Sequence, residues 1–180
     1  MFVLGIDPGL TRCGYGGVVR AGSALVAATA GVLTTGADRP LAQRLAELHR
    51  GLSALIEEHR PAVVAVEQVF FQANARTAMS VGQASGLALA AAAASGCGVV
   101  QYTPNEVKLA VTGSGSATKV QVQHMVQRLL ALDQPPRPPD AADALALALC
   151  HHAVAPLRAR VTGARVTGAR VTGARVWELG

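Results

Sequence analysis

The chain has 180 residues, of which 51% are hydrophobic, 15% charged and 3% aromatic. That suffices for one compact domain with a core of Ala, Leu and Val rather than rings. The formal charge of +5 is uneven: residues 1–155 carry 11 Lys/Arg against 10 Asp/Glu, whereas residues 156–180 carry five Arg against Glu178. These figures exclude a disordered chain, a disulfide scaffold, a membrane span and a multidomain machine.

Residues 2–7 are a short apolar run that stops at Asp7-Pro8-Gly9, the pattern of a central strand with an acid at its end. Two further strands are predicted at 15–19 and 23–33, joined by a hairpin at Ala21-Gly22. Leu41, Leu45, Leu48, Leu52, Leu55 and Ile56 recur at three or four residues, so an amphipathic helix runs from Pro40 to just before Pro61. A β-branched run at 62–66 ends at Glu67. A long Ala-rich helix at 73–95 and a short strand at 99–102 follow. Three helices close the pattern, at 104–111, 119–132 and 140–153. Hairpin strands followed by strands alternating with helices predict an α/β fold: a mixed five-stranded sheet with helices on both faces, in the order of the ribonuclease H-like fold.

The domain is expected to span 1–155. Beyond it, Arg-Val-Thr-Gly-Ala begins at Arg160, Arg165 and Arg170, and in part at Arg175. A period of five gives no single apolar face, so 156–180 is expected to be a flexible basic tail. Met1 leads straight into Phe2 without a basic region or cleavage-site pattern, so no signal peptide is expected. The three widely spaced cysteines, Cys13, Cys97 and Cys150, read as free thiols in a reducing cytoplasm. Cys150-His151-His152 invites a metal reading. Neighbouring side chains on a helix diverge by about 100°, however, and no second ligand pair stands at zinc spacing, so a helix end is the better account.

Chemistry is concentrated in four acids. Asp7 and Glu67 close two predicted strands, and carboxylates emerging on one sheet edge sit where α/β folds gather ligands. Asp140 and Asp143 share one face of a predicted helix. Converging carboxylates without fixed basic partners repel one another, and Mg²⁺ or Mn²⁺ relieves that repulsion. A pair of such ions can drive phosphodiester hydrolysis. Each acid also has an ordinary reading: Asp7 in a turn, Asp140 as a helix cap, Asp143 in a favourable first turn. Glu67 resists one, because an acid after Val63-Val64-Ala65-Val66 interrupts a buried strand for no structural gain.

Five blocks stand in order: Leu-Gly-Ile-Asp-Pro-Gly at 4–9, Val-Glu-Gln-Val-Phe at 66–70, Gly-Gln-Ala at 82–84, Gln-Val-Gln-His-Met-Val at 121–126, and Asp-Ala-Ala-Asp-Ala-Leu at 140–145. Together, over residues 1–153, they resemble the RuvC family of bacterial crossover (Holliday) junction endodeoxyribonucleases. The resemblance implies symmetric, metal-dependent nicking of two strands of a four-way junction in recombination and DNA repair, leaving 5′-phosphate and 3′-hydroxyl ends. It places the catalytic, metal-holding carboxylates on Asp7, Glu67, Asp140 and Asp143. Two Mg²⁺ ions per site are implied, with Mn²⁺ as a substitute. It also implies a cytoplasmic homodimer acting with the branch-migration proteins RuvA and RuvB. Phe70 would stack on junction bases, and Lys108, Lys119 and Arg76 would meet the DNA backbone. In the family the long helix after Glu67 supplies much of the dimer contact. Ala84, Ala88 and Ala91 suit either that contact or packing on the sheet. Phe71 receives no role, and His124 is expected to pack within its helix setting rather than act. The rivals are a related RNA-processing family, an actin-like ATPase lobe and a junction-binding module that does not cut.

Overall fold

The computed structural model describes residues 1–68 and 75–162. Five strands, β1 (Phe2–Asp7), β2 (Arg12–Ala21), β3 (Ala24–Thr34), β4 (Val63–Glu67) and β5 (Gly98–Tyr102), form one sheet in the order β3-β2-β1-β4-β5. The pairs β3-β2 and β2-β1 are antiparallel, and β1-β4 and β4-β5 parallel. Five helices cover it: α1 (Leu41–His59), α2 (Ala75–Ala94), α3 (Pro104–Thr112), α4 (Lys119–Leu129) and α5 (Pro139–Thr162). This is the mixed, ribonuclease H-like arrangement expected from the sequence.

The sheet separates two cores. On one face Leu48, Leu52 and Ile56 of α1 and Ala84, Ala88, Ala91 and Ala92 of α2 meet Leu4, Ile6, Val64 and Val66. The three α2 alanines left open by sequence are thus buried within the chain's own core, where their small size lets α2 lie against α1 and the sheet. On the other face Val107, Val111, Val122 and Val126 of α3 and α4 surround Leu145, Leu147 and Leu149 of α5, which rests on Val3, Val18 and Ala65. Burying each such Leu stabilises the fold by about 1.5–3 kcal/mol.

Helix starts follow local chemistry. Thr103 accepts from the Glu106 backbone N–H while the Glu106 carboxylate accepts from that of Thr103; Thr118 and Gln121 repeat the arrangement at α4. Strand and helix positions agree with expectation within a few residues except at α5. It continues through Pro156 to Thr162, past the boundary expected at residue 155. Arg158 on this extension binds Glu106 Oε1 at 2.8 Å and stacks 5.2 Å from the Tyr102 ring centre. Residues 156–162 are therefore helical rather than part of a flexible tail, and residues 163–180 lie outside the described residues. Among the described residues no helix is long and apolar enough to cross a membrane.

Candidate active site

Alternation along β1 and β4 aims two acids at one place. Val3, Gly5 and Asp7 point to the α5 face of the sheet, and so do Val63, Ala65 and Glu67. The parallel register sets Ile6 beside Val66, so one residue further on Asp7 lies alongside Glu67 at the strands' carboxyl ends. Beyond Asp7 the chain leaves β1 at Pro8-Gly9.

The other acids arrive on α5, and glycines set its depth. A Cβ on Gly5 would collide with the Ala144 carbonyl, one on Gly14 with the Asp140 carbonyl, and one on Gly16 would lie 2.7 Å from the Leu145 backbone. The helix therefore sits directly on the sheet backbone, with Asp140 in its first turn, where the helix dipole favours a negative charge. Asp143, one turn on, joins Asp7, Glu67, Lys108 and Lys119 around an open cleft of about 370 Å³.

Two cations answer two of the acids. Lys119 Nζ lies 2.6 Å from Asp143 Oδ2, and Arg12 donates from Nε (3.2 Å) and Nη2 (2.8 Å) to Asp140 Oδ2. The expectation of carboxylates without fixed basic partners thus needs correction. Among the described residues Asp7 and Glu67 have none, and they behave accordingly. Burial, then the charges of Glu67 and Asp143, push the Asp7 carboxyl up to about 7. Burial and Asp143 raise Glu67 as well, against a hydrogen bond with Asp7. The Arg12 hydrogen bond holds Asp140 below the usual carboxylate range, and the Asp143 hydrogen bond raises Lys119.

Among the described residues, no three acid, His or Cys side chains are gathered closely enough to hold one ion as they stand. Asp140 is turned to Arg12 and Asp143 to Lys119. The donor set nevertheless fits a hard divalent cation: it consists of carboxylate oxygens, and the half-buried, mutually repelling Asp7 and Glu67 have no ion-pair partner among the described residues.

Lys108 and Lys119, the expected backbone contacts, both line the cleft. Arg76 belongs to α2, but its side chain, like Phe70 and Phe71, lies outside the described residues. His124 is exposed, beside Thr112, Ser114, Ser116 and Arg128 in a separate shallow pocket, so it is neither packed nor near the acids. Cys150, His151 and His152 are buried in α5. His151 Nδ1 meets the Tyr102 hydroxyl at 2.9 Å, His152 Nε2 meets the Val18 carbonyl at 3.2 Å, and the three cysteines are free thiols. The helix-end reading is therefore corrected: because α5 runs on to Thr162, these three residues lie in its interior, where they pack against the rest of the domain.

Arg12 was missed by sequence reading, since one arginine among 16 basic residues carries no periodic signal. The turn that delivers it is itself secured. Arg44 of α1 donates to Thr11 Oγ1 (2.7 Å) and Thr35 Oγ1 (3.0 Å), and Thr35 Oγ1 donates to the Leu10 carbonyl (2.6 Å).

A family profile described as "Crossover junction endodeoxyribonuclease RuvC" matches residues 3–151. A protein of that description from Streptomyces griseus is 54% identical over 165 residues, covering 91% of this chain and 81% of the relative. The structure of Thermus thermophilus RuvC superposes with a TM-score of 0.81 at 37% identity, covering 88% of this chain and 97% of that one. The same protein in complex with a Holliday junction substrate gives a TM-score of 0.80 at 36% identity, covering 87% and 96%. With the carboxylate cleft at the same strand ends that its sequence blocks mark, the chain belongs to the RuvC family of crossover junction endodeoxyribonucleases.

Proposed function

We propose that this chain resolves Holliday junctions in homologous recombination and DNA repair, with Asp7, Glu67, Asp140 and Asp143 as its catalytic carboxylates. They hold two Mg²⁺ ions, for which Mn²⁺ substitutes. The observation that carries the reading is the meeting of Asp7, Glu67 and Asp143 in one open cleft that Lys108 and Lys119 also line. Four acids suit cations, and the lysines suit the phosphates on either side of the cut.

Each group has a task. Burial and neighbouring negative charge raise both the Asp7 and the Glu67 carboxyl, so positive charge bound between them would favour their ionised forms. Held by these four carboxylates, such ions would supply Lewis acidity, which lowers the pKa of an attacking water and stabilises a departing oxygen. Lys119, released from Asp143, turns to a phosphate oxygen, and Lys108, also lining the cleft, steadies the strand. The products are a 5′-phosphate and a 3′-hydroxyl. Phe70 stacks on a junction base, and Arg76 contacts the backbone. The working form is a cytoplasmic homodimer, whose two-fold axis matches two cuts to a two-fold junction, acting with RuvA and RuvB.

The test uses a mobile synthetic four-way junction and a matched linear duplex, each with Mg²⁺, Mn²⁺ or chelator. Paired symmetric nicks are expected only on the junction and only with metal. Glu67→Gln should bind the junction in chelator without cutting it, and Phe70→Ala should slow cutting more than it weakens binding. Tight binding with no nicks in either metal would make the chain a junction-binding module instead.

A further inference from the structure

We infer that Arg12 is a positioning residue of this site, gripping Asp140 so that its carboxylate is held ready for a divalent cation. The inference rests on the reading of Asp140 as a metal-holding acid. Both guanidinium contacts, from Nε and Nη2, fall on one oxygen, Oδ2. A two-point grip on one oxygen limits the rotation of the carboxylate and leaves Oδ1 outside the pair.

Asp140 is held twice by the same strand. Its backbone carbonyl rests against Gly14, and its side chain is bound by Arg12, two residues earlier on β2. Arg12 is itself fixed from behind. It pairs with Thr34 in the β2-β3 ladder, and the preceding turn is tied by Arg44 to Thr11, by Thr35 to the Leu10 carbonyl, and by the Thr35 amide to the Thr11 carbonyl (3.2 Å). So α1, β3 and β2 converge on the placement of one carboxylate oxygen.

Stability does not explain the arrangement. The Arg12 side chain is 47% exposed and that of Asp140 28%, and ion pairs so open to water contribute little to folding. Nor does Arg12 stand in for a cation within the cleft. The Lys119 charge acts on both Asp7 and Glu67, whereas Arg12 is not among the chief charges acting on either. Arg12 does not line the cleft and grips the ligand from outside it, the task of the partners that hold metal ligands from behind.

The test uses the full chain and its variants Arg12→Gln and Arg12→Lys, with Mn²⁺ alone as the probe. Bound Mn²⁺ is counted without DNA from the electron paramagnetic resonance of the free ion. Wild type is expected to take up two ions, and Arg12→Gln to keep one while binding the second about tenfold more weakly. Arg12→Lys, with a point charge in place of the fork, should fall between them and carries the test if the glutamine variant does not fold. Junction affinity in chelator should stay within about twofold of wild type, while the Mg²⁺ needed for half-maximal nicking rises about tenfold. Unchanged Mn²⁺ binding overturns the inference. So does tighter binding, which would make Arg12 a competing cation, or a loss of junction affinity alone, which would make it a phosphate contact. An Asp140→Asn variant that loses one Mn²⁺ while both Arg12 variants keep two would overturn this inference and leave the four-carboxylate reading intact. Wild type without Mn²⁺ binding would overturn both.

Discussion

Asp7→Asn should stabilise the metal-free protein, and do so only where Asp7 would otherwise be ionised. The folded chain holds the Asp7 proton up to about pH 7, against an ordinary value of 3.8. Because the folded state binds this proton more tightly than the unfolded chain does, Asp7 supports folding below about pH 4. That support is lost as pH rises through 7. A displacement of that size corresponds to about 4 kcal/mol, and because part of it comes from the charge of Glu67 we expect a net gain of about 2–4 kcal/mol for the variant at pH 8. For a chain of this length that is an increase of roughly 5–15 °C in the unfolding midpoint. At pH 4.5 the gap should shrink to about 1 kcal/mol or less. Thermal or urea unfolding of both proteins in chelator at the two pH values makes the comparison. Mg²⁺ should then narrow the gap at pH 8 by stabilising wild type more than the variant. A gap independent of pH, or a variant less stable than wild type at pH 8, would refute the crowded-carboxylate account of the cleft.

Three further outcomes are expected. Lys119→Ala should lower junction affinity in chelator and reduce the slope of log affinity against log salt by about 1; an unchanged slope would leave Lys119 only as the partner of Asp143. Gly14→Ala, by driving a methyl into the Asp140 carbonyl, should cost about 1–3 kcal/mol in urea unfolding and reduce nicking, whereas wild-type values for both would show that α5 can retreat freely. Truncation after Ala155 should cost about 1 kcal/mol through loss of the Arg158 contacts to Glu106 and Tyr102. Truncation after Thr162 should leave stability unchanged and, by removing Arg165, Arg170 and Arg175, only flatten the salt dependence of junction binding; equal stability of the two truncations would dismiss the helical extension.

Much of this fold was legible because its signals are local. The Leu41-to-Ile56 spacing marked α1, and Glu67 announced itself by being an acid at the end of a valine run. What escaped depends on contacts between distant residues. Arg12 and Asp140 are 128 positions apart, and nothing near either one records the other. The continuation of α5 was hidden for a different reason. Pro156 reads as a helix breaker, yet here the helix runs on and Arg158 is held by Glu106 and the Tyr102 ring, so tertiary contacts override the local rule. His124 misled through composition alone, since a histidine on an amphipathic helix gives no sign of which face it occupies until the partners of Val122 and Val126 are known.

The glycines beneath α5 have one more consequence. Where two elements are separated by side chains, their spacing varies with every substitution between them. Here β1 and β2 meet α5 backbone to backbone at Gly5, Gly14 and Gly16. The gap between the acid on the strand and those on the helix is thus set by atoms that every amino acid shares. Sequence drift on the opposite face, among the leucines of α1 and the alanines of α2, can alter how firmly the domain holds together without changing the dimensions of its cutting edge. The protein separates what must be durable from what must be accurate, and entrusts the second to residues that have no side chain to vary.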